Sequence, residues 1–398
     1  MYCILQYNNS MKARYQYRFY PTDQQRQSLA QLFGCVRVVW NDALALCKES
    51  EKLPRYNKLS ARLTQIKKTD ERKWLADVSS VPLQQALRNF DKAYSNFFDS
   101  RTGKRKGRAM GTPRFKKKSS RQSAEFTKAA FSIEGREVYL AKIGNLKPIW
   151  SRELPSEPSS VTIIKDCANR YFLSFVVEIQ PEPLPNNGQS VGVDLGIKTF
   201  ATLDTEEKID APKPLKKQLK RLRKIQRNLS RKQKGSKRRE KARIRVAKLH
   251  ARIKDTRTDF LHKLSTSLIR ENQTVILEDL NTSGLLKNRR LSRAISDLGW
   301  RQFRTFLEGK AEKYGREFRT ISRWEPTTQR CSCCGEIGGK KELSVREWKC
   351  LFCGAFHDRD INAAINIKVA GGHSETGGGA TPAPLKNGRR GSVRLPPR

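Results

Sequence analysis

Acidic residues are scarce in this chain: 39 Asp and Glu stand against 81 Lys and Arg in 398 residues, a formal charge of +42. Such a surface repels itself unless a polyanion neutralises much of it, so bound nucleic acid is expected. The sequence also lacks any run approaching the roughly 18 apolar residues of a spanning helix. Its opening Met1-Tyr2-Cys3-Ile4-Leu5-Gln6 does not read as a signal peptide. No membrane is therefore expected, and the location read from these absences is cytoplasmic and nucleoid-associated. Cysteines spaced as a disulfide framework are absent too. Five of the nine fall between Cys331 and Cys353, while Cys3, Cys35, Cys47 and Cys167 are scattered, mostly within apolar segments. That distribution favours a metal site over disulfides.

The basic residues are concentrated. Lys213 to Lys254 holds 20 Lys and Arg and one acid, Glu240, a net +19. Leu215, Leu219, Leu222, Ile225 and Leu229 recur there at helical spacing, and after Gly235-Ser236 the pattern returns as Ala242, Val246, Leu249 and Ile253. The stretch reads as a helical hairpin with one apolar stripe and a cationic outer face suited to phosphates. Arg101 to Lys118, with nine Lys and Arg and no acid, reads as a basic loop. Near the start, Tyr15, Tyr17 and Phe19 alternate as in a strand ending at Pro21. Thr22 and Gln25 then form a capping box for a helix carrying Val36, Val39, Trp40, Ala43 and Leu46. Leu83, Leu87, Phe90, Tyr94 and Phe97 mark another helix. Strands return at Val161 to Ile164 and Tyr171 to Ile179, before a linker at Pro181, Pro183 and Pro185. A helical block is thus inserted into a β domain. A second unit opens with the strand at Val191-Gly192-Val193-Asp194 and closes with a helix from Arg359 to Val369. Gly371 to Arg398, with 11 Gly or Pro in 28 residues, is expected to have no fold.

Cys331-x-x-Cys334 and Cys350-x-x-Cys353, fifteen residues apart, have the spacing of a zinc ribbon. Cys333 is an alternative to Cys334, and His357 reads as a local hydrogen-bonding residue. Such closed sites hold a fold, which leaves chemistry to carboxylates. Asp194 lies between Gly192 and Gly196, which permit close approach of a backbone or a ligand. Glu278 ends the strand Thr274-Val275-Ile276-Leu277. Asp360 opens the last helix, whose Ile361, Ile365 and Val369 are expected to face the sheet and set it beside the other two. Three such acids can hold two magnesium ions for phosphodiester cleavage. Asp279 and Asp358 compete for the role: Asp279 points to the opposite face if the strand continues, and Asp358 precedes the helix.

Together Gly-Val-Asp194-Leu-Gly-Ile-Lys, Ile-Leu-Glu278-Asp-Leu-Asn, the paired Cys-x-x-Cys motifs and His357-Asp-Arg-Asp360-Ile-Asn-Ala-Ala resemble the TnpB family. These are transposon-encoded, RNA-guided nucleases, also called OrfB-type zinc-ribbon transposases, related to type V CRISPR effectors. Tyr17-Arg-Phe-Tyr-Pro-Thr-Asp-Gln-Gln, Val38-Val-Trp-Asn-Asp-Ala-Leu and Thr112-Pro-Arg-Phe-Lys-Lys-Lys extend the resemblance into the N-terminal half. Met11-Lys12 resembles the usual start, making residues 1–10 an upstream extension. The departures are Thr327-Thr328-Gln329 before the first knuckle and the added Cys333.

The resemblance implies an α+β multidomain protein. A wedge β-barrel would span 1–21 and 112–185, with a helical recognition insertion at 22–111. A RuvC-like RNase H fold would span 186–325 and 355–370 and carry the basic hairpin; a zinc ribbon would occupy 326–354. It implies Asp194, Glu278 and Asp360 as catalytic magnesium ligands, and Cys331, Cys334, Cys350 and Cys353 as zinc ligands. The implied partners are a guide RNA from the transposon end and a double-stranded DNA target beside a transposon-adjacent motif, served by a monomer carrying one RNA. The alternatives are a DNA transposase or transposition accessory protein, and an RNA-guided repressor that does not cut. Tyr15, Trp40, Trp74, Phe115 and Trp324 are candidates for stacking on bases, and each is equally a candidate for core.

Overall fold

The structure, a computed structural model, describes residues 10–372 apart from 106, 108 and 343. The expected unstructured tail beyond Gly372 and the upstream extension before Ser10 lie outside the described residues. The chain forms two compact units: one from Met1–Pro185, Ala211–Arg270 and Leu286–Arg316, the other from Asn186–Asp210, Glu271–Leu285 and Glu317–Arg398.

The first unit opens with β1 (Met11–Phe19) and three helices, α1 (Asp23–Glu49), α2 (Tyr56–Ile66) and α3 (Ser80–Arg101). Seven strands follow: β2 (Gln122–Thr127), β3 (Phe131–Glu134), β4 (Glu137–Leu140), β5 (Gly144–Leu146), β6 (Pro148–Ile149), β7 (Ser160–Lys165) and β8 (Tyr171–Ile179). β1 pairs antiparallel with β8 over its whole length, from Met11 opposite Ile179 to Phe19 opposite Tyr171. The helices are therefore an insertion between strands of one sheet, ordered β2-β7-β8-β1-β6, beside a smaller sheet β3-β4-β5. Inward residues of both sheets, including Tyr17, Phe126, Leu140 and Phe175, share one core with Leu32, Val36, Leu83 and Phe90 of the helices.

The capping box is present: Gln25 N–H donates to Thr22 Oγ1 (3.2 Å) and Thr22 N–H to Gln25 Oε1 (3.0 Å). Contrary to the sequence reading, α1 contains one 18-residue window that is long and apolar enough to cross a membrane by composition. Leu29, Leu32, Val36 and Val39 within it are buried, so the apolarity is that of a core helix. α1 also fixes the end of the basic loop. Trp40 Nε1–H donates to the Arg114 carbonyl (3.0 Å), and Asn41 accepts from Lys116 N–H (2.8 Å) while donating to its carbonyl (3.2 Å).

The chain passes into the second unit as β9 (Ser190–Asp194), β10 (Ala201–Leu203) and β11 (Lys208–Ile209). It returns to the first as α4 (Pro214–Ser230) and α5 (Lys237–Glu271). These two helices form the basic hairpin, turning at Gly235 with φ +86°. Leu222, Leu249 and Ile253 are buried between them. β12 (Thr274–Glu278) and the short α6 (Thr282–Leu285) belong to the second unit; α7 (Ser292–Leu298) and α8 (Trp300–Tyr314) belong to the first. Asp297 of α7, itself buried, accepts the backbone amides of Leu215 and Lys216 (both 3.0 Å) and so caps α4, whose own N-cap, Lys213, makes no side-chain capping bond to the helix.

The second unit is completed by β13 (Glu317–Ile321), β14 (Glu347–Lys349), β15 (Phe356–Asp358) and α9 (Arg359–Ala370). Its main sheet has the order β11-β10-β9-β12-β13 and is mixed: β9, β12 and β13 run parallel, while β10 and β11 are antiparallel. Val275, Ile276 and Leu277 are buried in succession, as in a strand covered on both faces. Among the described residues no irregularity interrupts the register that brings β9 and β12 to a common end.

Candidate functional site

Leu277 lies opposite Val193 in the parallel pair, so the next residues, Glu278 and Asp194, end neighbouring strands on the same face. α9 crosses this face at Gly192. A Cβ there would lie 2.2 Å from the Ala364 carbonyl oxygen and 2.7 Å from Lys368 N, so only glycine admits the helix backbone. The packed face differs from the one expected. Ala363, Ala364 and Ile367 are buried, Ile361 and Ile365 are half-buried, and Val369 is exposed. Ala364 is small enough to let the helix backbone reach Gly192, while Ile367 packs with Ile276 and Ile321. Close crossing still puts Asp360, in the first turn of α9, beside the strand ends.

The electrostatics record the convergence. Burial, then Asp360, then Glu278 push Asp194 up to about 7. Burial also raises Glu278, against the opposing pull of Arg323. Arg359 acts on Asp194 in the opposite sense to its carboxylate neighbours, and Arg346 lies 3.4 Å from Asp360. The two competing acids are otherwise engaged. The strand stops at Glu278 and Asp279 pairs with Arg323. Asp358 is the N-cap of α9, accepting from Asp360 N–H (3.0 Å) and Ile361 N–H (3.1 Å), with Lys208 at 2.5 Å. Burial opposes its ionisation, but Lys208 and those amides hold its carboxyl below the usual range.

Three acids crowded at one end of a sheet, one with its proton retained to near neutrality, form an oxygen-rich donor set in which burial and mutual repulsion outweigh the guanidiniums nearby. Their chemistry fits hard divalent cations. Their oxygens are less tightly gathered than the thiols: among the described residues, Cys331, Cys334, Cys350 and Cys353 are the one group whose ligand atoms all lie within 4.8 Å. Cys331 to Cys353 and Cys334 to Cys350 are each 3.7 Å apart at Sγ. Four thiolates around a tetrahedral ion with bonds of about 2.3 Å stand about 3.8 Å apart, so the cage fits a metal. Cys333 is exposed and outside the cage. His357 Nε2 lies 3.0 Å from Cys331 Sγ, with its ring against Trp348, consistent with a hydrogen-bonding role.

Several contributors were not legible in the sequence. Asn362 and Asn366, one helical turn apart, both donate to the Thr327 and Arg330 carbonyls at 2.8–3.2 Å. Asn362 also accepts from Ser332 N–H (2.9 Å). They fasten the first cysteine knuckle to α9; their i, i+4 repeat within the acidic motif was the available signal. Asp204 accepts the Gly192 amide (2.9 Å) and pairs with Lys368 (2.8 Å), tying α9 to β9. Nothing in its local sequence marks Asp204.

Residues 174–289 match the IS605 OrfB family model described as "Probable transposase", and residues 300–367 match "Cas12f1-like, TNB domain". Residues 11–52, which form a strand and one long helix, match a "Helix-turn-helix domain". A Streptomyces pristinaespiralis protein named "Putative RNA-guided DNA endonuclease" is 49% identical over 370 residues, covering 91% of this chain and 90% of its own. InsQ of Escherichia coli (strain K12), named in the same terms, is 29% identical over 378 residues, covering 90% and 92%. The protein of a Cas12f1, single-guide RNA and target DNA complex shares the fold, with a TM-score of 0.52 at 12% identity. That likeness covers 90% of this chain and 99% of that one.

Proposed function

The chain belongs to the IS605 OrfB (TnpB) family of RNA-guided DNA endonucleases, and from that premise we propose that it cuts double-stranded DNA at a RuvC-type centre formed by Asp194, Glu278 and Asp360. The observation that carries this reading is the meeting of those three acids, from β9, β12 and α9, at one end of a mixed sheet. Asp194, Glu278 and Asp360 would hold two magnesium ions, which when bound activate water and stabilise the leaving oxygen. The chain's own part is placement. β9 and β12 fix two carboxylates side by side, the Gly192 crossing sets the third, and Asp358 stiffens the first turn of α9 on which that third acid stands. Arg323, Arg346 and Arg359 supply positive charge around the acids for the phosphate backbone of the strand.

Zinc is the ion for the four cysteines, on the thiolate chemistry and the 3.7 Å separations. The strand pairing of β1 with β8 and β6 across the helical insertion supports a wedge barrel with a recognition insertion. A guide RNA from the transposon end would lie against the basic hairpin and loop, and base pairing would select a target beside a short adjacent motif.

The test is a plasmid library carrying a guide-matched target beside randomised bases, incubated with protein co-purified with transposon-end RNA. Magnesium-dependent cleavage linked to one motif is expected. Asp194→Ala should lower the rate at least a thousandfold while RNA retention is unchanged. Wild-type cleavage by that variant would remove the centre. Strand-transfer products would favour the transposase, and target occupancy without cutting would favour the repressor.

A further inference from the structure

Of the five aromatic residues open to base stacking, the structure separates one. Trp40 is buried with the Lys116 ammonium 3.8 Å from its ring centroid. Arg72 lies over Trp74, Arg152 over Tyr15 and Lys48 over Phe115. Trp324 is 86% exposed, and among the described residues no ring or cation covers it.

Its place in the fold ties that exposed ring to the elements that carry the acids. Ile321 is the strand partner of Glu278, and Trp324 stands three residues beyond it. The turn carrying the indole is pinned on both sides. Before it, Arg323 pairs with Asp279, the residue after Glu278. Within it, Trp324 N–H donates to Ser322 Oγ and Glu325 N–H to the Ser322 carbonyl. After it, Asn362 and Asn366 clamp the Thr327 and Arg330 carbonyls to the helix that bears Asp360. A large flat apolar surface is thus presented to solvent on a turn fastened to the elements that carry two of the three acids, with a guanidinium next to it in the chain. Exposed indoles are costly in water, and a pinned one is preorganised for a flat partner. An unpaired base offers such a face, whereas a base stacked in a duplex does not.

We propose that Trp324 is a positioning residue: a base of the single-stranded target DNA, adjacent to the phosphodiester to be cut, stacks on its indole. This rests on the reading of Asp194, Glu278 and Asp360 as the cutting centre, and the experiment separates the two. The ribonucleoprotein is assayed for single-turnover cleavage of a labelled matched duplex, with Asp194→Ala as the control for the centre. Trp324→Ala is expected to slow cleavage roughly 5- to 100-fold, the range that base stacking supplies. Trp324→Phe should recover most of the rate and Trp324→Leu little, with RNA retention and target binding unchanged in all three. In the Asp194→Ala background, 2-aminopurine beside the cut position should be quenched and should brighten when Trp324→Ala is added. Wild-type cleavage by Trp324→Ala, or equal loss in the Phe and Leu variants, would overturn the stacking role while leaving the centre intact. Should the Ala variant lose RNA, the Leu variant decides, and a wild-type rate there overturns the proposal. Cleavage by Asp194→Ala alone would instead remove the centre on which the inference stands.

Discussion

Gly192 shows how one residue sets the site. A methyl group there would lie 2.2 Å from the Ala364 carbonyl oxygen, and its two nearest neighbours are backbone atoms, which cannot rotate away. Gly192→Ala should shift α9 and with it Asp360. We expect at least a tenfold loss of cleavage and a destabilisation of about 1–3 kcal/mol, the usual range for overpacking; a thermal melt beside the cleavage assay measures both. Asp194 makes a second prediction. Its pKa rises on folding from 3.8 to about 7, so the folded chain takes up a proton between those values. In metal-free protein its contribution to stability therefore falls as pH rises from about 4 to about 7, by up to about 4 kcal/mol, and stays low above that. Magnesium at the proposed centre would bind the ionised form, so its affinity should climb over the same window. Melting in EDTA at several pH values should show this loss in the wild type, and Asp194→Asn should lack it. Parallel curves would mean that burial and the neighbouring acids do not hold Asp194 above the usual carboxylate range.

At the scale of elements, the basic hairpin was readable because its apolar residues keep helical spacing through a run of like charge. What closes it was not. The N-cap of α4, Lys213, is a left-handed residue whose side chain does not cap, and the first amides are taken instead by Asp297, about eighty residues later. Asp297→Ala should leave two amides and the positive helix terminus unanswered. It is expected to cost about 1–2 kcal/mol of stability. Hydrogen exchange should show the effect concentrated at the start of α4, and uniform protection along the hairpin would refute the cap. The last helix carries the converse lesson. Its position and its acid were legible, but the Ile361, Ile365 and Val369 stripe was not the buried one. Hydrophobicity alone does not choose between helix faces, whereas the backbone approach at Gly192 sets the face that carries Ala364 and Ile367 toward the sheet.

The whole molecule carries +42, and the exposed face of α4 concentrates it. Lys220, Arg223, Lys224 and Arg227 are exposed there. If each meets a phosphate, changing all four to Gln should flatten the slope of log affinity against log salt for guide RNA by about 3, at 0.7–0.9 per contact. Titration across a salt series reads this directly. An unchanged slope with lower affinity would place these side chains away from the phosphates.

Charge, ligand spacing and periodicity are local properties of a chain, so the excess of basic residues, the paired Cys-x-x-Cys spacing, the helical insertion between paired strands and the positions of Asp194, Glu278 and Asp360 at strand and helix ends were readable before folding. Which face of α9 is buried, which acids Arg323 and Lys208 occupy, how Asn362 and Asn366 bind the first knuckle to the acidic helix, and which of the candidate aromatic residues stands uncovered emerged from the packing. Those outcomes depend on distances between segments far apart in the chain. Backbone approach, capping across eighty residues and the pairing of buried charge exist only once the strands and helices have met.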